Sequence, residues 1–397
     1  MTKKVLIFSL NYYPRFIGGA EVAIKEITDR LPDIEFHMVT LRFDSTLPKV
    51  EKIGNVLVHR IGFTKPEPGI ADLRRFPLHI NKHAYQYLAA RKAASLHKAH
   101  RYDAVWAMMA HAAGIPAAHF KTFHPKVRYL LTLQEGDPPA HIEKLMRPVW
   151  PLFRRAFTKA DHVQAISSFL LDWSRRMGFP KEGEVVPNGV SLAHFSQAFP
   201  PEEVAFVKEG LGKKKGDVFL VTTSRLVHKN GVDTIIDALP ELPGNIRLVI
   251  AGVGPLERAL QARIEMLKIP DRVIFLGEVP HSELPLLLSA CDIFIRPSRS
   301  EGMGNSFIEA MAAGLPVIAT QEGGLSDFLF DRVRNPDKEP TGFAVDKDDP
   351  KRIAATVQAI IADPVGTKQV VKNARALVER YDWSAIAERM RGLFDTV

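Results

Sequence analysis

The sequence predicts an α/β fold of two Rossmann-like domains in tandem, and three observations carry that prediction. A chain of 397 residues is longer than one ordinary hydrophobic core supports. Short apolar runs alternate with helical patterns in both halves. That alternation is the mark of parallel sheets covered on both faces, with ligand expected at the carboxyl ends of the strands. Between the halves, a Pro187-Asn188-Gly189 turn follows a strand-like Glu184-Val185-Val186, and Phe199-Pro200-Pro201 supports a linker beyond it.

In the first half, residues 5–9, 35–40, 56–61, 104–108 and 129–133 read as strands from their apolar runs. Residues 20–30, 80–99 and 141–158 carry helical spacing. The opening run imitates a signal peptide, but its apolar stretch stops at Asn11 with no small-residue cleavage site, so it reads as the first strand. In the second half, residues 218–222, 246–251, 273–276, 293–296 and 316–319 are strand-like.

Composition is globular, with 46% hydrophobic and 25% charged residues, which excludes a disordered chain. The most apolar longer stretch, 104–120, contains His111, Gly114, Pro116 and His119 and is too short to span a bilayer. A single cysteine, Cys291, excludes an internal disulfide and a thiolate metal cluster and fits a cytoplasmic location. The net charge of +8 is one-sided. Residues 1–190 hold 28 Lys/Arg against 17 Asp/Glu, whereas residues 191–397 hold 25 against 28. Such an excess suits either a polyanionic partner, such as a membrane surface, nucleic acid or an acidic acceptor, or a merely solvated basic face.

The most informative run is Glu301-Gly302-Met303-Gly304-Asn305-Ser306-Phe307-Ile308-Glu309-Ala310-Met311-Ala312, followed by the turn Gly314-Leu315-Pro316-Val317. It sets one carboxylate in a glycine-broken loop and a second on the following helix, whose N-terminal N–H groups suit an anionic or hydroxyl-rich ligand. The run resembles the Glu-x7-Glu signature of family 4 glycosyltransferases. The resemblance implies a retaining enzyme of the GT-B fold, two Rossmann-like domains facing each other across a cleft, that moves a sugar from a UDP- or GDP-linked donor. It also implies a division into an acceptor-binding domain 1–190, a donor-binding domain 191–378, and a segment 379–397 whose helix, around Tyr381 to Ala387, returns to the first domain.

Residue by residue, the resemblance places Glu301 on the donor sugar and the N–H groups of Gly304, Asn305 and Ser306 near sugar or phosphate. It sets Glu309 on the ribose hydroxyls. A local alternative stays open for Glu309, because Ser306-Phe307-Ile308-Glu309 is also a capping-box sequence. In Ser224-Arg225-Leu226 and Lys229-Asn230-Gly231-Val232-Asp233, two cations follow a strand. Cations aimed at a departing diphosphate stabilise its growing charge without a proton. The resemblance gives that role to Arg225 and Lys229, although the lysine stands one place early. The turns at Gly252 and Val279 would hold the nucleotide, and Gly18-Gly19, in the loop from Asn11 to Val22, would face the diphosphate and sugar.

On the acceptor side, the family's histidine position falls at Met108, so the nearby His111 is the candidate catalytic residue. Gln134, Glu135 and Asp137 either bind acceptor hydroxyls or form a turn before the prolines. No metal-ligand spacing, Asp-x-Asp or serine nucleophile elbow stands out, so neither a metal nor a cofactor is expected. The expected partners are a nucleotide sugar and a glycan, lipid-linked or small-molecule acceptor. Peripheral association with an anionic membrane is one reading of the basic half, and nucleic acid is not expected. A phosphorylase or nucleotide-sugar epimerase of the same fold, and a non-catalytic nucleotide-sugar binder, are the alternatives.

Overall fold

A computed structural model describes residues 2–15, 17–69 and 71–396. Phe16, within the first glycine loop, lies outside the described residues. The chain forms two compact units: residues 1–188 with 383–397, and residues 189–382. The expected divisions at 190/191 and 378/379 therefore differ from the observed ones by a few residues. The connecting segments join by an isolated bridge inside the second unit, between Val190 and Asp382.

The first unit is built on an eight-stranded sheet. Its strands are β1 (Lys3–Phe8), β2 (Ile34–Leu41), β3 (Val50–Ile53), β4 (Val56–Ile61), β5 (Ala104–Met108), β6 (Arg128–Leu133), β7 (His162–Ala165) and β8 (Glu184–Val185). The order is β3-β4-β2-β1-β5-β6-β7-β8. All pairings are parallel except β3 with β4. The strand order reverses between β1 and β5, which sets a crevice at their carboxyl ends. On one face, the helix Gly19–Asp29 packs against the final helix Trp383–Thr396. Phe394 meets Trp106 of β5 and Phe36 of β2 edge-on, with ring centroids 5.2 and 5.6 Å apart, which fixes the final helix in this core.

The second unit carries β9 (Val218–Thr223), β10 (Ile246–Ala251), β11 (Val273–Gly277), β12 (Ile293–Arg296), β13 (Val317–Ala319) and β14 (Phe343–Ala344). The order β11-β10-β9-β12-β13-β14 is all parallel, the doubly wound arrangement with its switch point between β9 and β12. Its core is aliphatic, drawn from Leu220, Leu248, Ile250, Ile293 and Ile295 together with the covering helices.

The helix expected over 141–158 is broken in two, Pro139–Met146 and Trp150–Thr158, with a 3-10 turn Arg147–Val149 between them. Pro148 and Pro151 cause the break, since each removes a backbone donor and clashes with the preceding turn. Strands β3 and β7 carry no apolar run of their own, interrupted by Glu51 with Lys52 and by His162 with Gln164, and β14 is only two residues long.

Candidate active site

In the second unit, the loop after β9 lies against the turn after β10. Ser224 N donates to Ala251 O and Leu226 N donates to Val253 O, both at 3.0 Å. Gly252 sits at φ +147°, and a Cβ there would come 1.9 Å from the Ser224 carbonyl oxygen. Glycine is therefore required by backbone approach alone. Asn230, where the family pattern has lysine, donates from Nδ2 to the Arg225 carbonyl at 2.7 Å and so ties the loop closed.

These elements surround a cavity of about 260 Å³ at the carboxyl ends of β9 and β10. Arg225, Gly252, Val279, Ser306 and Glu309 line it together, five of the residues singled out in the sequence. Arg225 is exposed, so its guanidinium is available to a ligand. Ser224 Oγ, also in the wall, is buried with no hydrogen-bond partner among the described residues, which leaves polar capacity for a ligand or water. Glu301, Lys229, Gly304 and Asn305 are not in the wall.

The capping-box alternative for Glu309 is excluded by where its helix begins. The helix runs Asn305–Ala313 with Gly304 as N-cap at φ +86°, so Ser306 is inside the first turn and Glu309 lies beyond the position a capping box needs. A side chain at Gly304 would meet the Phe307 ring at 2.6 Å. Instead of capping, Ser306 Oγ accepts from Arg296 Nη1 at 2.7 Å. Glu309 Oε1 lies 3.0 Å from His281 Nε2, and the His281 ring rests against Phe195 and His194.

Glu301 also differs from expectation. It reads in the sequence as a loop carboxylate with little packing, yet it is only 9% exposed. Arg296 Nη2 donates to its Oε2 at 2.7 Å, and Gly302 N donates to its Oε1 at 3.2 Å. The Arg296 guanidinium is stacked over Phe307 at 4.2 Å. Burial lowers the Arg296 pKa, while the charges of Glu301 and Glu309 oppose that shift. Lys229 lies in the 3-10 turn His228–Asn230, and its carbonyl accepts from Arg299 N at 2.7 Å.

In the first unit, the candidates again gather at a switch point. The glycine loop follows β1, His111 follows β5, and Gln134 with Glu135 follows β6. Gly18 caps the helix Gly19–Asp29, and Glu21 turns back to accept from Gly18 N at 2.7 Å, so one of the N–H groups expected to face an anion already holds a carboxylate. Glu135 is fully buried. It accepts from Ala110 N at 2.6 Å and Gln134 N at 2.9 Å, and its Oε1 lies 3.4 Å from His111 Nδ1. Met109, at φ +68°, turns the chain into the π-helix Ala110–Gly114 that carries His111. Gln134 Nε2 is buried without a partner among the described residues, and a Cβ on Gly19 would lie 3.9 Å from it. Asp137 stays apart, exposed in the turn. Arg296 and His281 were missed in the sequence. The available signal for Arg296 was a charge at the end of the apolar Ile293-Phe294-Ile295 run.

Two Rossmann-like units in one chain, the second with a cavity at the carboxyl ends of its strands, are the architecture of the GT-B class. Residues 204–377 match the family model of glycosyl transferases group 1, and residues 17–194 match that of Glycosyltransferase Family 4. The chain belongs to glycosyltransferase family 4. It is 25% identical over 393 residues, 99% of this chain and 98% of the relative, to an uncharacterized glycosyltransferase of Methanocaldococcus jannaschii. It is 32% identical over 224 residues to a GDP-mannose-dependent alpha-(1-6)-phosphatidylinositol monomannoside mannosyltransferase of Mycolicibacterium smegmatis, covering 53% of this chain and 56% of that enzyme. Among solved structures, sucrose-phosphate synthase from Thermosynechococcus elongatus superposes with a TM-score of 0.79 at 21% identity, covering 99% and 98% of the two chains. Anabaena HepE in complex with UDP and glucose gives 0.76 at 22% identity, with both chains fully covered. No helix of the described residues is long and apolar enough to cross a membrane.

Proposed function

We propose that this transferase is a retaining, metal-independent hexosyltransferase whose second unit binds a UDP- or GDP-linked sugar and whose first unit binds a glycan, lipid-linked or small-molecule acceptor. The observation that carries the reading is the convergence of Arg225, Gly252, Val279, Ser306 and Glu309 on one cavity. Arg225 meets the diphosphate, where charge grows as the sugar leaves. Glu309 accepts from ribose hydroxyls, and the turns at Gly252 and Val279 leave backbone groups for the base. Lys229 adds a second cation, and Glu301 is a buried anion beside the sugar. Transfer breaks the bond between the anomeric carbon and phosphate oxygen and forms the bond to the acceptor oxygen on the same face. The departing phosphate takes the acceptor proton. His111, backed by Glu135, and Gln134 orient acceptor hydroxyls. A donor of UDP or GDP type is supported by the UDP in the HepE complex and the GDP-mannose of the mycobacterial relative.

Thermal shift against UDP-, GDP- and ADP-sugars tests the donor, because a ligand of the native state raises Tm. One donor class is expected to raise Tm, and Arg225→Ala to abolish most of that rise. Transfer by the stabilised donor is expected to give a product of unchanged anomeric configuration in EDTA. No shift with any nucleotide sugar, or an inverted product, would overturn the reading.

A further inference from the structure

Away from both candidate sites, the first unit gathers histidines around the amino end of β2. Glu35 and His37 stand two apart on that strand and so share one face. His100 ends the helix Asn81–His100, where Arg101 at φ +56° turns the chain toward β5. One donor atom from each of Glu35, His37 and His100 lies within 4.8 Å of the other two. His37 Nε2 and Glu35 Oε1 are 3.1 Å apart. Two ligands on a tetrahedral ion with bonds of about 2.1 Å would be about 3.4 Å apart.

The surroundings fit as well as the three atoms. His37 Nδ1 lies 2.6 Å from the Tyr102 hydroxyl, the outer hydrogen bond that fixes tautomer and ring orientation in a metal-bound histidine. His37 is 3% exposed, so little water competes for its ring. His59, 6% exposed, has both ring nitrogens without partners among the described residues, and its ring centroid is 5.6 Å from that of His37. Glu35 and His100 are only half-buried, which leaves an entry path and a solvent-side position for water. Lys4 lies 3.1 Å from Glu35 Oε2 and competes for that carboxylate, but it leaves Oε1 to the ion.

We propose that Glu35, His37 and His100 form a zinc site, with water as the fourth ligand. Zinc would tie the carboxyl end of the helix Asn81–His100 to β2, so binding energy becomes folding energy of the first unit. The absence of metal-ligand spacing in the sequence does not bear on this site, because its ligands come from two distant elements that the sheet topology brings together.

The full chain, stripped with a chelator and dialysed, is titrated with zinc chloride while heat of binding and Tm are followed. One zinc per chain and a raised Tm are expected. His100→Ala and Glu35→Gln lose that binding, Tyr102→Phe weakens it about 10- to 100-fold, and His124→Ala, at a histidine that pairs with His97 at 4.9 Å and is not among the three ligands, keeps it. Cobalt(II) in place of zinc reports tetrahedral ligation by its visible absorption even where a variant folds poorly. No saturable zinc binding by the wild type, or equal binding by His100→Ala, would overturn the site.

Discussion

Arg296 and Glu301 form a buried ion pair beside the cavity lined by Ser306 and Glu309, with Nη2 to Oε2 at 2.7 Å and Nη1 reaching on to Ser306 Oγ. The pair thus joins the end of β12, the glycine loop and the first turn of the helix that carries Glu309. Arg296→Met leaves a desolvated carboxylate without its cation, and breaking a buried pair in this way costs about 3 to 5 kcal/mol. Glu301→Gln is expected to cost much less, because an amide oxygen still accepts from Nη2. Urea denaturation of the two variants checks the ranking; equal stability of Arg296→Met and wild type would show that the pair does not hold the loop.

Glu309→Gln probes donor binding without disturbing a helix cap, since Gly304 occupies the N-cap. Loss of a charge-assisted contact, about 1.5 to 3 kcal/mol, predicts donor affinity weakened roughly tenfold or more with Tm unchanged. His281→Ala frees the carboxylate and shifts affinity less. Calorimetry with the nucleoside diphosphate decides: unaltered affinity in Glu309→Gln removes the ribose assignment.

How far the site could be read in the sequence follows from how local each signal was. Arg225, Gly252, Val279, Ser306 and Glu309 each follow a strand or open a helix, and parallel topology brings such positions together without further information. The partners of Glu301, Glu309 and His111 were not legible, because Arg296, His281 and Glu135 are contacts made by packing between elements. Among the strands, long apolar runs were read and short polar ones such as β7 were missed. Their hydrogen bonds come from neighbouring strands rather than from their own pattern.

Acid should weaken the second unit through Asp233. Burial pushes its carboxyl pKa up, but the hydrogen bonds and charge of Arg299, at 2.9 and 2.8 Å, outweigh that and leave it below the ordinary range. In the unfolded chain Asp takes its proton near pH 3.9. Below that pH the unfolded state binds more protons, so the contribution is complete above about pH 4 and is lost as pH falls through the native value. Asp233→Asn is expected to be less stable than wild type at neutral pH, with the gap closing as pH falls below about 4. Because Arg299 also holds the Lys229 carbonyl, donor affinity should fall in the same variant. Denaturation curves that stay parallel for both proteins down to low pH would sink this account.

The last prediction concerns the basic half. We propose that it docks on anionic membranes. The helix Ile115–Phe123 packs against both Asn81–His100 and Trp150–Thr158, so the three form one layer over the sheet. Within the helix Trp150–Thr158, Phe153 and Phe157 are buried in the core. Phe76, Tyr87, Phe123, Leu145 and Leu152 are exposed instead, 48% to 78%. Lys82, Arg91, Lys98, Arg154 and Arg155 are exposed among them. Apolar side chains interleaved with cations suit an acidic bilayer surface, where each basic residue contributes about 1 kcal/mol and salt screens the attraction. Co-sedimentation is expected with phosphatidylglycerol vesicles and not with phosphatidylcholine vesicles at low salt, falling as salt is added. Reversing Arg154 and Arg155 to Glu removes two favourable charges and adds two repulsive ones, so binding should drop at least about tenfold while the fold, with both side chains in solvent, is kept. Equal failure to sediment with either vesicle would refute docking.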